Sequence, residues 1–289
     1  MFPDASVGSM DAGAVDASRP DAAPARDAAV VDAGVPGDAS VMDAGVADAA
    51  AAPGIWHPAP RTRWQWQISG ALDTSINVAM YDVDLFDVPD AVVTTLHGQG
   101  RVVICYFSTQ YENWRPDVDV LPANVLGSAL DGWPGERWVD IRHAAVRAWI
   151  QGRLDLAVMR GCDGVEPDNV DGYANTNGLG LTANDQLDFN RFVAAQARAR
   201  GLSVGLKNDL DQVPQLVVDF DWALNEECFQ YDECDALTPF ITAGKAVFQV
   251  EYGNAATAAA VCPSANTRGF STLIKNLDLD AWRLDCQDQ

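Results

Sequence analysis

From Arg63 to Ile274, eight short runs rich in Val, Ile, Phe, Trp and Tyr recur along the chain, separated by longer stretches of helical pattern. They are Arg63–Ile68, Asn77–Tyr81, Arg101–Phe107, Gly164–Asp168, Leu202–Lys207, Asp221–Glu226, Ala246–Tyr252 and Gly269–Ile274. β-branched and aromatic residues suit a pleated, half-buried surface, so each run reads as a strand. Between them, Ala144–Arg160 sets Val146, Ile150, Leu154, Ala157 and Val158 near the helical period. Thr182–Arg200 does the same with Leu187, Phe189, Phe192, Val193 and Ala197. Thr182 is placed to cap its start, with Asp185 three residues on, and Gly201 to stop it. Strands alternating with helices imply a parallel sheet. Eight repeats in roughly 235 residues match a closed α/β (β/α)8 TIM barrel. A doubly wound open sheet is the alternative, but it would want a Gly-rich phosphate loop after the first strand, and the sequence has none.

Residues 1–54 are different material. Ala, Asp, Val, Gly, Ser and Pro dominate, DAG recurs at Asp11, Asp32 and Asp43, and the only aromatic residue is Phe2. Such a segment buries too little apolar surface to offset the entropy of ordering, so a disordered linker is expected, followed by one folded domain over residues 55–289. The segment resembles a tether between an export or lipoprotein signal and a folded body. Met1-Phe2-Pro3-Asp4 has neither a basic start nor an apolar core, so that signal is expected outside this sequence.

The formal net charge of −22 and a pI near 4.2 argue against nucleic acid, whose phosphates require a basic surface. The same acidity tolerates neutral ligands and attracts cations. No run of 18 apolar residues is present, so no membrane span is expected. Six cysteines permit fifteen pairings. Cys228 and Cys234 bracket a short loop, Cys262 with Cys286 would staple the C-terminus, and Cys105 with Cys162 would join neighbouring strands of a barrel. A zinc site would want C-x-x-C spacing or clustered histidines, and the three histidines (His57, His97, His143) lie far apart in sequence. Disulfides and a secreted or cell-surface location are therefore expected.

Acids gather where the barrel reading puts the active end. In such a barrel the site lies at the carboxyl ends of the strands. Asp82 and Asp84 follow the second run, and Glu166 and Asp168 close the fourth within GCDGVEPDNVDGY (Gly161–Tyr173). Glu226, beside Glu227, closes the sixth, and Glu251 lies at the end of the seventh. Lys207 ends the fifth. Alternation along a strand sends Glu166 and Asp168 to one side. Trp64, Trp66, Tyr81, Tyr106, Trp114, Trp138, Tyr173 and Tyr252 fall near the same ends. Flat rings stack on the apolar faces of sugars, although ordinary core packing accounts for about half of such aromatics.

Several segments carry a resemblance. WQWQISG (64–70), YDVDLFD (81–87), VVICYFSTQYENWRPD (102–117), GWPGERWVDI (132–141), GCDGVEPDNVDGY, GLSVGLKND (201–209), NEECFQYDEC (225–234) and AGKAVFQVEY (243–252) together resemble glycoside hydrolase family 114, the endo-α-1,4-polygalactosaminidases. The resemblance spans Trp64 to Leu284. It implies a (β/α)8 barrel that cuts internal α-1,4 links of a galactosamine-containing polysaccharide, with no cofactor and no metal. It places the two catalytic carboxylates on Asp168 and Glu226. Cys162 stands where the family more often has an aromatic, which favours a Cys105–Cys162 bridge.

Glycosidic cleavage needs one acid to protonate the leaving oxygen and one carboxylate to act at the anomeric carbon or on water. Asp168 is read as nucleophile and Glu226 as acid/base, in a retaining reaction. Trp66, Asp82, Asp84, Tyr106, Trp138, Glu166, Asn169, Asp171, Tyr173, Lys207, Asn225, Glu251 and Tyr252 are expected to bind substrate, with the acids among them receiving ammonium groups of a cationic polymer. A monomer is expected. The rival readings are a non-catalytic polysaccharide-binding barrel, which needs no second carboxylate, and a hydrolase of a different α-linked glycan.

Overall fold

Each barrel strand points one row of side chains into the ring and the other at the surrounding helices, as strand geometry requires. The computed structural model describes residues 54–289, so the linker expected over residues 1–54 lies, save for Gly54, outside the described residues. The chain runs through β1 (Trp64–Gln67), β2 (Met80–Asp84), α1 (Asp90–Gly98) and β3 (Val102–Ser108). An excursion then carries β4 (Tyr111–Glu112), β5 (Leu126–Ala129) and β6 (Glu136–Val139), a small antiparallel sheet in the order β4-β6-β5. Next come α2 (Ala144–Arg160), β7 (Gly164–Asp168), α3 (Ala183–Ala199) and β8 (Ser203–Lys207). The last part holds α4 (Val213–Leu216), β9 (Trp222–Glu226), α5 (Thr238–Thr242), β10 (Val247–Tyr252), α6 (Ala255–Arg268), β11 (Ser271–Lys275) and β12 (Arg283–Asp285).

The hydrogen-bonded order of the main sheet is β1-β2-β3-β7-β8-β9-β10-β11-β12, parallel until β12, which lies antiparallel to β11. At the β1–β11 seam, Trp64 Nε1 donates to the Ser271 carbonyl at 2.8 Å and Gln65 Nε2 to that of Ala281 at 3.1 Å. This is the TIM barrel expected from the sequence, with an added antiparallel strand. Every expected strand overlaps an observed one, but β2 begins at Met80 rather than Asn77, so Asp82 and Asp84 lie within the strand and not after it. Both expected helices form. Thr182 and Asp185 make a reciprocal capping box, and Gly161, at φ 80°, ends α2 in the left-handed conformation that suits glycine.

The inward row is apolar at the amino ends of the strands. Trp64, Met80, Ile104, Trp222, Phe248 and Leu273 fill the ring there. Farther along, the same row turns polar: Asp82 and Asp84 on β2, Tyr106 and Ser108 on β3, Glu166 and Asp168 on β7, then Lys207 and Glu226. Parallel register aligns Tyr106 with Glu166 and Ser108 with Asp168. The outward row, including Val83, Val103, Phe107, Val165, Val204 and Leu206, packs with the apolar faces of the helices. The site is thus mounted on a sealed interior. Cys105–Cys162, Cys228–Cys234 and Cys262–Cys286 are bonded as expected.

Candidate active site

A cleft of about 580 Å³ opens at the carboxyl end of the barrel. Asp168 ends β7 and Glu226 ends β9, on either side of β8, whose last residue Lys207 reaches both. Lys207 Nζ lies 3.1 Å from Asp168 Oδ1 and 3.2 Å from Glu226 Oε2. The nearest oxygens of the two carboxylates are therefore no farther apart than these two contacts laid end to end. The same amine lies 2.9 Å from Glu166 Oε1 and over the ring of Trp66, 4.7 Å from its centre. Burial alone would lower the lysine pKa, but Asp168, Glu166 and Glu226 outweigh it and hold the ammonium well above its ordinary value.

Each of the two carboxylates has its own tyrosine. The Tyr106 hydroxyl donates to Asp168 Oδ2 at 2.9 Å, and the Tyr252 hydroxyl donates to Glu226 Oε1. Burial, then the facing carboxylate, raises the pKa of both phenols, so they remain donors. The Asn169 backbone N–H donates to Asp168 Oδ1 at 2.8 Å. Asn208 takes the left-handed conformation (φ 47°), accepts from the Glu226 N–H at 2.9 Å and donates to Glu226 Oε2 at 3.3 Å. These donors fix both carboxyl groups before any ligand arrives.

Of the expected binding residues, Trp66, Tyr106, Asn169 and Asp171 line the cleft, as do Tyr173, Lys207, Asn225 and Tyr252. Five do not line it. Asp82 and Glu166 are wholly buried beneath Lys207, where burial raises Asp82 well above the ordinary carboxyl value and Glu166 to about 7. Asp84 is held by the Arg115 guanidinium. Glu251 accepts from the Phe229 N–H at 2.9 Å and from Gln249 Nε2 at 2.7 Å. Trp138 packs under the turn at Gly172, where a Cβ would come within 3.0 Å of its ring. These five build the floor and walls. Alternation along a strand would turn Glu227 away from Glu226, yet both line the cleft, because Glu227 follows the last residue of β9 and turns at φ 61°.

Sequence reasoning missed Trp133 and Glu136 on the excursion, Asp209 and Asp211 after β8, and Tyr231 and Glu233 beyond β9. The adjacent pair Asn208-Asp209 directly after a strand was a usable signal, since these residue types enter left-handed turns readily. Burial, then the charge of Asp171, lifts Asp209 to about 8; burial, then the charge of Asp168, lifts Asp171 to about 6. Eight acidic residues line the cleft against one lysine.

A rigid pair of carboxylates at the carboxyl end of a (β/α)8 barrel, walled by aromatic rings, is the equipment of a glycosidase. The sequence model of glycoside-hydrolase family GH114 matches residues 45–289, and the chain belongs to that family. Among solved structures it is similar to Aspergillus fumigatus Ega3 in complex with galactosamine: 45% identity, 80% of this chain and 97% of that one covered, TM-score 0.77. The glycoside hydrolase domain of PelA from Pseudomonas aeruginosa shares the fold at 13% identity, with 78% and 98% covered and a TM-score of 0.62. A search of curated proteins found no match. No helix of the described residues is long and apolar enough to cross a membrane.

Proposed function

We propose that the protein is an endo-acting hydrolase of α-1,4-linked galactosamine polymers, with Asp168 as nucleophile and Glu226 as acid/base. The observation that carries this reading is the placement of both carboxylates on one lysine inside a strongly acidic cleft. Similarity to a protein crystallised with galactosamine supports the sugar, and the acidic lining suits a polymer bearing ammonium groups.

In the first step Asp168 attacks the anomeric carbon as the glycosidic bond breaks, and Glu226 gives its proton to the departing oxygen. In the second, Glu226 takes a proton from water, whose oxygen displaces Asp168 and restores both groups. The shared lysine holds the two carboxylates close together, the arrangement that a retaining reaction, with its shorter carboxyl spacing of ~5–5.5 Å, calls for. Tyr106, Asn169 and Lys207 orient the nucleophile, while Tyr252 and Asn208 orient the acid. With three disulfides and no free cysteine among the described residues, the enzyme is proposed to work outside the cytoplasm, as a monomer.

The deciding experiment incubates the purified protein with de-N-acetylated and N-acetylated galactosamine polymers and with neutral α-glucans, following products by mass spectrometry and their first-formed anomer by NMR. Internal cuts in a galactosamine polymer with α-anomeric products are expected. Cleavage of the neutral glycans alone would replace the substrate reading, and β-anomeric products would replace the nucleophile.

A further inference from the structure

We infer that Trp133 and Glu136, on the excursion between β3 and α2, form a separate subsite for one amino-sugar residue of the polymer, with the ring on Trp133 and the ammonium on Glu136. This rests on the reading that the substrate carries amines.

The excursion brings its β5–β6 turn to the cleft, and both residues line it. Trp133 is 57% exposed, an unusual state for a large ring, and Glu136 is only 8% exposed. The Glu136 N–H donates to the Trp133 carbonyl at 3.2 Å, tying the two together. Between them Gly135 sits at φ 97°, where a Cβ would come 2.9 Å from Asn113 Oδ1 and 3.0 Å from the Trp114 ring. The turn is thus set by a position that only glycine fits.

The Glu136 carboxyl group has no direct partner among the described residues, Arg115 acting on it only at a distance. Its side chain makes no hydrogen bond and no ion pair among the described residues, although it is buried. Its cross-strand neighbour Glu112 takes Arg115 at 3.1 Å and Arg153 at 3.3 Å. The same arginines also hold Asp84 and Asp117. Burial, then the charges of Glu112 and Asp168, lifts Glu136 to about 7. A carboxylate stranded in this way beside an exposed indole lacks one thing, a cation carried on an apolar surface. A 2-amino sugar supplies both, an ammonium for the carboxylate and a C–H face for the ring.

Steady-state kinetics of Glu136→Gln and Trp133→Ala on the de-N-acetylated polymer, across a series of salt concentrations, test the subsite. Glu136→Gln is expected to raise KM about tenfold with kcat within about threefold, and to flatten the rise of KM with salt. Trp133→Ala, at a surface residue, is expected to raise KM with the salt dependence intact. An unchanged KM, or a fall in kcat with the salt dependence unmoved, would overturn the proposal. Calorimetry with free galactosamine separates this from the parent reading. If the wild type cuts no galactosamine polymer yet binds galactosamine more tightly than Glu136→Gln does, the subsite stands without that reading. If the two bind it equally, or neither binds it, the subsite falls.

Discussion

Lys207 bridges Asp168 and Glu226, touching both from the end of the strand between theirs. Without it three carboxylates would face one another across a buried floor. The replacement Lys207→Met keeps the length of the chain and removes the charge. Breaking a buried ion pair costs about 3–5 kcal/mol, so a clear drop in Tm is expected. Per folded molecule, kcat is expected to fall roughly a hundredfold or more, since both carboxylates lose a fixed donor. A variant that folds with near-normal kcat would show that the lysine serves folding alone.

The two catalytic assignments separate by their effect on the two steps. On the proposed roles, Asp168→Asn removes the bond-forming group and Glu226→Gln the proton donor, so each is expected to lower kcat roughly a thousandfold or more with little change in Tm. Substrates with activated leaving groups need no proton from Glu226. They should therefore recover the first step in Glu226→Gln and not in Asp168→Asn, visible as a burst of leaving group. Recovery in Asp168→Asn instead would reverse the roles.

The three disulfides differ in the length of chain they close. Cys105–Cys162 spans 57 residues and Cys228–Cys234 only 6. In the chain-entropy account the long loop contributes about 4 kcal/mol and the short one about 2. Paired alanine replacements at 105 and 162 should therefore lower the unfolding free energy more than those at 228 and 234, as read by denaturant titration. The opposite order would mean that native packing around the loop after β9 outweighs the loop entropy.

The barrel was legible because its strands keep a period of two over a long parallel ring, and because their inward row changes from Trp, Ile and Phe to Asp, Glu and Lys at one end. Asp168, Glu226 and Lys207 sit inside that pattern and could be placed from it. Legibility stopped where the chain leaves the strands. Glu227 turns out of alternation at φ 61°, and Asn208 and Asp209 do so at 47° and 43°. Glu136 reaches the cleft through a tertiary excursion that no local period encodes. Asp84 and Glu251 read as mouth acids, but Arg115 and the Phe229 N–H claim them.

Stability should decline as pH rises above mildly acidic values. Asp171 is lifted to about 6, Glu136 and Glu166 to about 7, and Asp209 to about 8, in each case first by burial. In the unfolded chain these groups titrate near 4. Between about pH 4 and 7 the native state therefore holds more protons than the unfolded one, and unfolding free energy falls as pH rises; above that range Lys275, lowered to about 7 by burial, keeps its proton only in the unfolded chain and works the other way. Asp140 and Asp185, lowered by hydrogen bonds from Arg142 and Thr182, act only at the acidic limit, where their protonation removes stability. The Tm is expected to peak at mildly acidic pH and to fall towards pH 7. Asp209→Asn should flatten the upper part of that fall, because an amide at φ 43° keeps the Asn190 contact and has no charge to bury. A Tm that rises from pH 5 to 7 would contradict the argument.

Packing beneath the site imposes a last demand. Gly205 lies directly opposite Trp222 in the β8–β9 register, and a Cβ on it would fall 2.1 Å from the indole. The strand backbone there is ordinary, so space alone requires glycine. Trp222 has little room to give: it is wholly buried, donates to Ser203 Oγ at 3.0 Å and meets Phe248 edge-on at 5.4 Å. Gly205→Ala should cost about 2 kcal/mol or more by overpacking. Because Lys207 is the next inward residue on the same strand, kcat should fall as well. Pairing the change with Trp222→Phe frees space, so the double variant should be less destabilised than the two single changes added together. Simple additivity would mean that the glycine answers to something other than the indole.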